Sequence, residues 1–181
     1  CFGVRERFDC LAWARWAQQR YQPRAMYLDG LSMGAATVLM ASCLELPGSV
    51  RGIIADCGFT SPRDILRKVI GQIHLPVAPF YFFVRTGARL FGGFDPEAAS
   101  AREALARCAV PVLLIHGEAD NFVPCEMSRE NYARCAAPKR LLTVAGADHG
   151  LSYLVDRPGV EAALKEFFAD TRPDRGVDAQ A

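Results

Sequence analysis

The sequence predicts an α/β fold: a mostly parallel sheet with helices on both faces. Three observations predict it. Strand-like and helix-like segments alternate along the chain. The strand-like segments are near-continuous apolar runs, as in strands buried on both faces. The chain has 181 residues, 51% hydrophobic and 23% charged, which is enough for one domain with a sizeable core and is unlike a disordered chain or a coiled coil.

Each element follows from its pattern. Val4, Phe8, Leu11, Ala12 and Trp16 recur at helical spacing, so residues 4–20 are expected to form an amphipathic helix that stops before Pro23. Ala25-Met26-Tyr27-Leu28 is a short apolar run ending at Asp29-Gly30 and reads as a buried strand. Residues 33–45 are apolar almost all round, which predicts a helix enclosed in the core. Val50 to Ala55 is the second strand. Residues 58–107 lack strand character. They hold helix-like pieces around 62–72 and 96–107 with an apolar, proline-containing stretch between them. Val110 to Ile115 is the third strand, 125–136 a helix before Pro138, and Arg140 to Val144 the fourth strand. A last helix covers 158–169, with Pro158 suited to its first turn. The polar stretch 171–181 reads as a flexible tail.

Composition narrows the function classes. Lys+Arg number 21 and Asp+Glu 20, for a formal charge of +1, and the basic residues are scattered. That balance argues against a nucleic-acid binder, which needs a clustered basic surface. No apolar run reaches the roughly 18 residues of a membrane-spanning helix. The seven cysteines are odd in number and lack C-x-x-C spacing, which argues against a zinc site or a secreted disulfide framework. Free thiols point to a reducing, cytoplasmic compartment.

The sharpest chemical signal is Gly30-Leu31-Ser32-Met33-Gly34, a G-x-S-x-G sequence between a predicted strand and a predicted helix. A serine on such a turn is strained, with its hydroxyl exposed. Glycines on either side let strand and helix approach closely. The helix N-terminus favours negative charge beside Ser32, and the Met33 N–H is positioned to serve as an oxyanion donor.

A serine nucleophile needs a base, and the base needs an orienting acid. His149 lies in Gly146-Ala147-Asp148-His149-Gly150, in a loop after the fourth strand. His116 ends the third strand and His74 lies in the irregular region. Asp120 lies in a loop just past the third strand. The order Ser32, Asp120, His149 is the Ser…Asp…His order of α/β-hydrolases. Asp56, also after a strand, is the alternative acid. Asp148 ranks last, because neighbours in sequence rarely face each other suitably. Cys57 is an outside nucleophile candidate, with no histidine near it in sequence.

Residues 25–42 (AMYLDGLSMGAATVLMAS), 50–61 (VRGIIADCGFTS), 110–124 (VPVLLIHGEADNFVP) and 144–149 (VAGADH) resemble the α/β-hydrolase superfamily. The resemblance is nearest to bacterial serine hydrolases of the prolyl-oligopeptidase and serine-aminopeptidase branches, and it spans about residues 3 to 170. It implies Ser32 as nucleophile, Asp120 as acid, His149 as base and Met33 as oxyanion N–H. It implies a partial hydrolase domain over 1–170, with a cap insertion at about 58–108. It implies no metal or organic cofactor. Family members carry further strands before the helix that precedes the serine, and one loop among them gives the second oxyanion donor. The sequence is therefore expected to be the C-terminal part of a longer hydrolase, with strand 25–29 lacking a neighbour on one side.

The expected chemistry is cleavage of a carboxylic ester or related acyl bond of a small-molecule substrate. Peptidase or amidase activity with the same residues, and a non-catalytic or inactive fragment, are the competing readings. The apolar cap residues Phe80, Tyr81, Phe82, Phe83 and Phe91 favour an acyl substrate. Membrane contact is not expected, because the cap has few flanking cations. Oligomeric state is not legible, though a dimer covering the open strand edge is one expectation.

Overall fold

A computed structural model describes residues 1–173. The elements run α1 (Glu6–Tyr21), β1 (Met26–Leu31), α2 (Met33–Ala41), β2 (Val50–Asp56), α3 (Pro62–Gln72), α4 (Val77–Leu90), α5 (Ala101–Leu105), β3 (Val112–Gly117), α6 (Cys125–Arg134), β4 (Lys139–Val144), α7 (Ser152–Val155) and α8 (Arg157–Thr171). The four strands form one parallel sheet in the order β1-β2-β3-β4.

Both faces of the sheet are covered, as continuous apolar strands require. Ile53, Ala55, Val112 and Leu114 point to one side. There they meet Ala35, Leu39, Leu105, Val123 and Cys135 in the larger core. Ile54, Leu113 and Ile115 point to the other side, against Val160 and Phe167 of α8. The register brings the strand ends level: Leu31 pairs with Asp56, Asp56 with Ile115, and Gly117 with Val144. The loops after all four strands therefore gather at one edge, where ligands bind in parallel α/β sheets.

Three expectations need correction. The 73–84 stretch is largely helical, because its prolines fall where a helix tolerates them. Pro76 is the N-cap of α4 and Pro79 lies in its first turn, where N–H groups have no intrahelical partner. The α1 helix forms as expected, but its buried face is rotated: Val4 and Leu11 turn inward as expected, while Ala12 does not. Ala14 is buried, with Arg7, Cys10, Leu11, Ala17 and Gln18 half-buried. Phe8 and Trp16 are outside, 51% and 48% exposed. Thr171, the expected first residue of the tail, closes α8 instead; residues 174–181, the rest of that expectation, lie outside the described residues. The short helix α7 and the extension of β1 to Leu31 went unread in the sequence.

Candidate active site

Ser32 sits on the one-residue junction between β1 and α2, at φ 55° and ψ −112°. For a residue with a Cβ this backbone is strained, and such strain persists only when the surroundings over-determine it. The surroundings are visible. Ser32 N–H donates to the Asp56 carbonyl at 2.8 Å, and the Ser32 carbonyl accepts from Ala36 N–H at 3.0 Å. Its side chain makes no cap to α2, which leaves the hydroxyl free to point elsewhere. Gly30 is sterically required: a Cβ there would lie 2.4 Å from the Gly34 backbone. Gly34 is different from the sequence expectation, because a Cβ there meets nothing within 4 Å. Met33 is the first residue of α2, so its N–H is among those a helix leaves without an internal partner.

Asp120 is held from both oxygens. Oδ1 accepts the N–H groups of Phe122 at 2.8 Å and Val123 at 2.7 Å. Oδ2 accepts from His149 Nδ1 at 2.7 Å. With the Nδ1 N–H donated to Asp120, Nε2 is the free acceptor, and it lies 2.8 Å from Ser32 Oγ. Ser32, His149 and Asp120 thus form one hydrogen-bonded chain, drawn from the ends of β1, β4 and β3. Phe122 packs edge-on against the His149 ring at 5.1 Å.

The neighbours fix the two loops. Gly117 lets them touch, since a Cβ there would lie 2.2 Å from the Ala147 carbonyl oxygen. Asp148 is a loop tie rather than an acid facing His149's ring: its Oδ1 accepts from Asn121 N–H at 3.1 Å and from His149 N–H at 2.7 Å. Those N–H donors hold its carboxyl below the usual range. From α3, Lys68 Nζ donates to the carbonyls of Asn121 and Phe122 at 2.6 and 2.7 Å.

The other histidines are elsewhere or otherwise engaged. His74 is exposed in the turn after α3. His116 is fully buried. Its Nδ1 lies 2.6 Å from Ser128 Oγ and its Nε2 2.9 Å from the Val123 carbonyl. A carbonyl only accepts, so Nε2 carries the proton, and it also faces Asp120 Oδ2 at 3.2 Å. Burial depresses its basicity, so an uncharged ring is set with its N–H edge against the Asp120 carboxylate. Nothing in the sequence pairs His116 with Ser128.

Asp56, the alternative acid, is not bonded to His149. Its Oδ1 accepts from Ser152 Oγ at 3.4 Å. Burial pushes its pKa up to about 6, with Asp29 and Asp120 adding repulsion. Cys57, which follows it, has φ 49° and its Sγ lies 4.0 Å from His149 Nε2. The sequence shows no histidine near Cys57; the fold supplies one from 92 residues away. Burial pushes the Cys57 thiol up to about 12, which leaves it a poor nucleophile. Cys57, Asp120 and His149 offer potential metal-ligand atoms within 4.8 Å of one another.

A parallel sheet with helices on both faces and its loops gathered at the strand ends gives the chain an α/β fold like that of solved α/β-hydrolases. Residues 94–179 match the family model described as TAP-like protein. The chain is 26% identical over 141 residues to the uncharacterized protein YqkD of Bacillus subtilis, covering 77% of this chain and 46% of that one. It is 33% identical over 98 residues to a bifunctional esterase/perhydrolase of Acinetobacter calcoaceticus, covering 42% and 36%. In fold it is similar to an esterase of Pyrococcus furiosus, with a TM-score of 0.65 at 20% identity, covering 93% of this chain and 63% of that one. The chain spans about half the length of the curated relatives it matches.

Proposed function

We propose that this chain carries the nucleophile, base and acid of a serine hydrolase that cleaves carboxylic esters or related acyl bonds. The observation that carries the reading is the hydrogen-bonded chain from Ser32 Oγ through His149 to Asp120, at 2.8 and 2.7 Å. In this reading His149 Nε2 takes the hydroxyl proton as Ser32 Oγ attacks the acyl carbon. Asp120 keeps the ring in the acceptor tautomer and stabilises the imidazolium. The Met33 N–H donates to the developing oxyanion. His149 returns the proton to the leaving group, and water then releases the acid from Ser32.

An acyl substrate is favoured by the apolar residues exposed beside these groups. Leu31 and Met33 flank Ser32, Phe122 lies against His149, and Leu151 follows the histidine loop; they are 54, 49, 50 and 41% exposed. The similarity to an esterase/perhydrolase points the same way. The seven unpaired thiols support a reducing, cytoplasmic setting.

Hydrolysis of p-nitrophenyl acetate and butyrate, against the matching anilides, tests the reading. Ser32→Ala and His149→Ala should each lower kcat by about 10⁴–10⁶-fold. Faster turnover of the anilides would assign an amidase instead, and unchanged ester turnover in Ser32→Ala would remove the nucleophile assignment.

A further inference from the structure

Cys57 has no part in that acyl transfer, yet its sulfur faces the same imidazole nitrogen as the Ser32 hydroxyl. We propose that Cys57 Sγ and His149 Nε2 bind a thiophilic divalent cation of the zinc or cadmium class, and that the bound ion shuts the hydrolase off. The inhibition half of the proposal rests on His149 being the base; the binding half does not.

The geometry meets the needs of such an ion. Nε2 carries the lone pair, because Nδ1 donates its N–H to Asp120 at 2.7 Å. A carboxylate behind the imidazole is the usual arrangement behind a metal-binding histidine, where it fixes the tautomer and raises ligand basicity. A tetrahedral ion with bonds of about 2.3 Å to sulfur and about 2.0 Å to nitrogen sets those atoms roughly 3.6 Å apart. Here they are 4.0 Å apart, so a shift of a few tenths of an ångström closes the site. Ser32 Oγ, 2.8 Å from the same nitrogen, is the hydroxyl that the ion displaces from Nε2, and water completes the coordination. The sulfur is held in place by its backbone, since Cys57 N–H donates to the Ile115 carbonyl at 2.9 Å. The charges of Asp56 and Asp120 both bear on it, and a negative field favours a dication. Cys57 is fully buried. The ion enters from the His149 side, where the side chain is 26% exposed and the loop is bracketed by Gly146 and Gly150, both at positive φ.

Binding releases the thiol proton to solvent, and the sulfur lone pair forms the bond to the ion; nothing is oxidised or reduced. The Nε2 lone pair is consumed, so Ser32 loses its proton acceptor. An exchangeable ion therefore acts as a reversible off-switch.

Cadmium titration of the full chain tests this, read by thiolate-to-metal absorption in the ultraviolet and by calorimetry. Wild type should bind one equivalent more than Cys57→Ala and Cys57→Ser, the second of which keeps the side-chain shape. His149→Ala should bind that equivalent at least tenfold more weakly. Ser32→Ala should retain it. Where ester turnover is measurable, it should fall as that equivalent binds and return with chelator, and each Cys57 variant should need at least tenfold more metal. Equal stoichiometry and affinity in wild type and both Cys57 variants would overturn the site. Binding at Cys57 with undiminished turnover would overturn the switch. A wild type that binds the equivalent but hydrolyses no substrate would overturn the hydrolase reading and leave the cation site standing.

Discussion

Asp56 is a charge that the fold half-buries beside another carboxylate. Its folded pKa of about 6 lies above the ordinary value of 3.8. Between those values the native state holds more protons than the unfolded chain, so this residue lowers stability as pH rises through that window. Above about pH 6 the full cost of the buried charge remains. Asp56→Asn should therefore be more stable than wild type at pH 8, by about 1–2 kcal/mol once partial exposure is allowed for. The difference should vanish near pH 4, as urea midpoints at both pH values would read. Equal midpoints at pH 8 would mean that the carboxylate is not penalised. The residues of the site divide by how sequence can reveal them. Ser32, Asp120 and His149 were legible because a local pentapeptide and a chain order announce them. Cys57 beside His149, Ser128 on His116, and Asp148 on Asn121 were not, because each pairing is made by the fold between separate elements and no local motif marks it.

The turn from β1 into α2 shows how an element carries the site. Gly30 and Gly34 look equivalent in the sequence, yet only Gly30 faces backbone within 2.4 Å. Gly30→Ala should force strand and helix apart, lowering stability by several kcal/mol and moving Ser32 from His149. Gly34→Ala should hold or raise stability by about 0.5–1 kcal/mol, since alanine favours a helix over glycine. Thermal unfolding of both variants checks this, and equal destabilisation would contradict it. β2 and β3 were readable because burial on both faces leaves near-continuous apolar runs. The α4 helix was not, because its apolar run holds two prolines, which fall at the N-cap and in the first turn. The buried face of α1 was misread for a similar reason. The spacing of Phe8, Ala12 and Trp16 is as helical as that of Arg7, Cys10, Leu11 and Ala14, and only the position of α2 decides which faces inward.

For the molecule as a whole, the consequence of that choice is an aromatic surface. Trp13, Trp16 and Tyr21 are 67, 48 and 64% exposed, with rings stacked edge to face at 5.4 and 5.5 Å. An apolar patch of this kind marks a surface suited to contact. Trp13 and Trp16 are the chain's two tryptophans, so their fluorescence reports on this face alone. The isolated chain should emit as hydrated indole, with little red shift on unfolding in urea. A blue-shifted native emission would mean that something covers α1. Ser32 gives the most direct test of the hydrolase reading. The chain should be treated with a fluorophosphonate probe and the adduct located by peptide mapping. One adduct is predicted, on Ser32, absent in Ser32→Ala and formed far more slowly in His149→Ala. An adduct on another residue, or none on a chain with a folded circular dichroism spectrum, would contradict it.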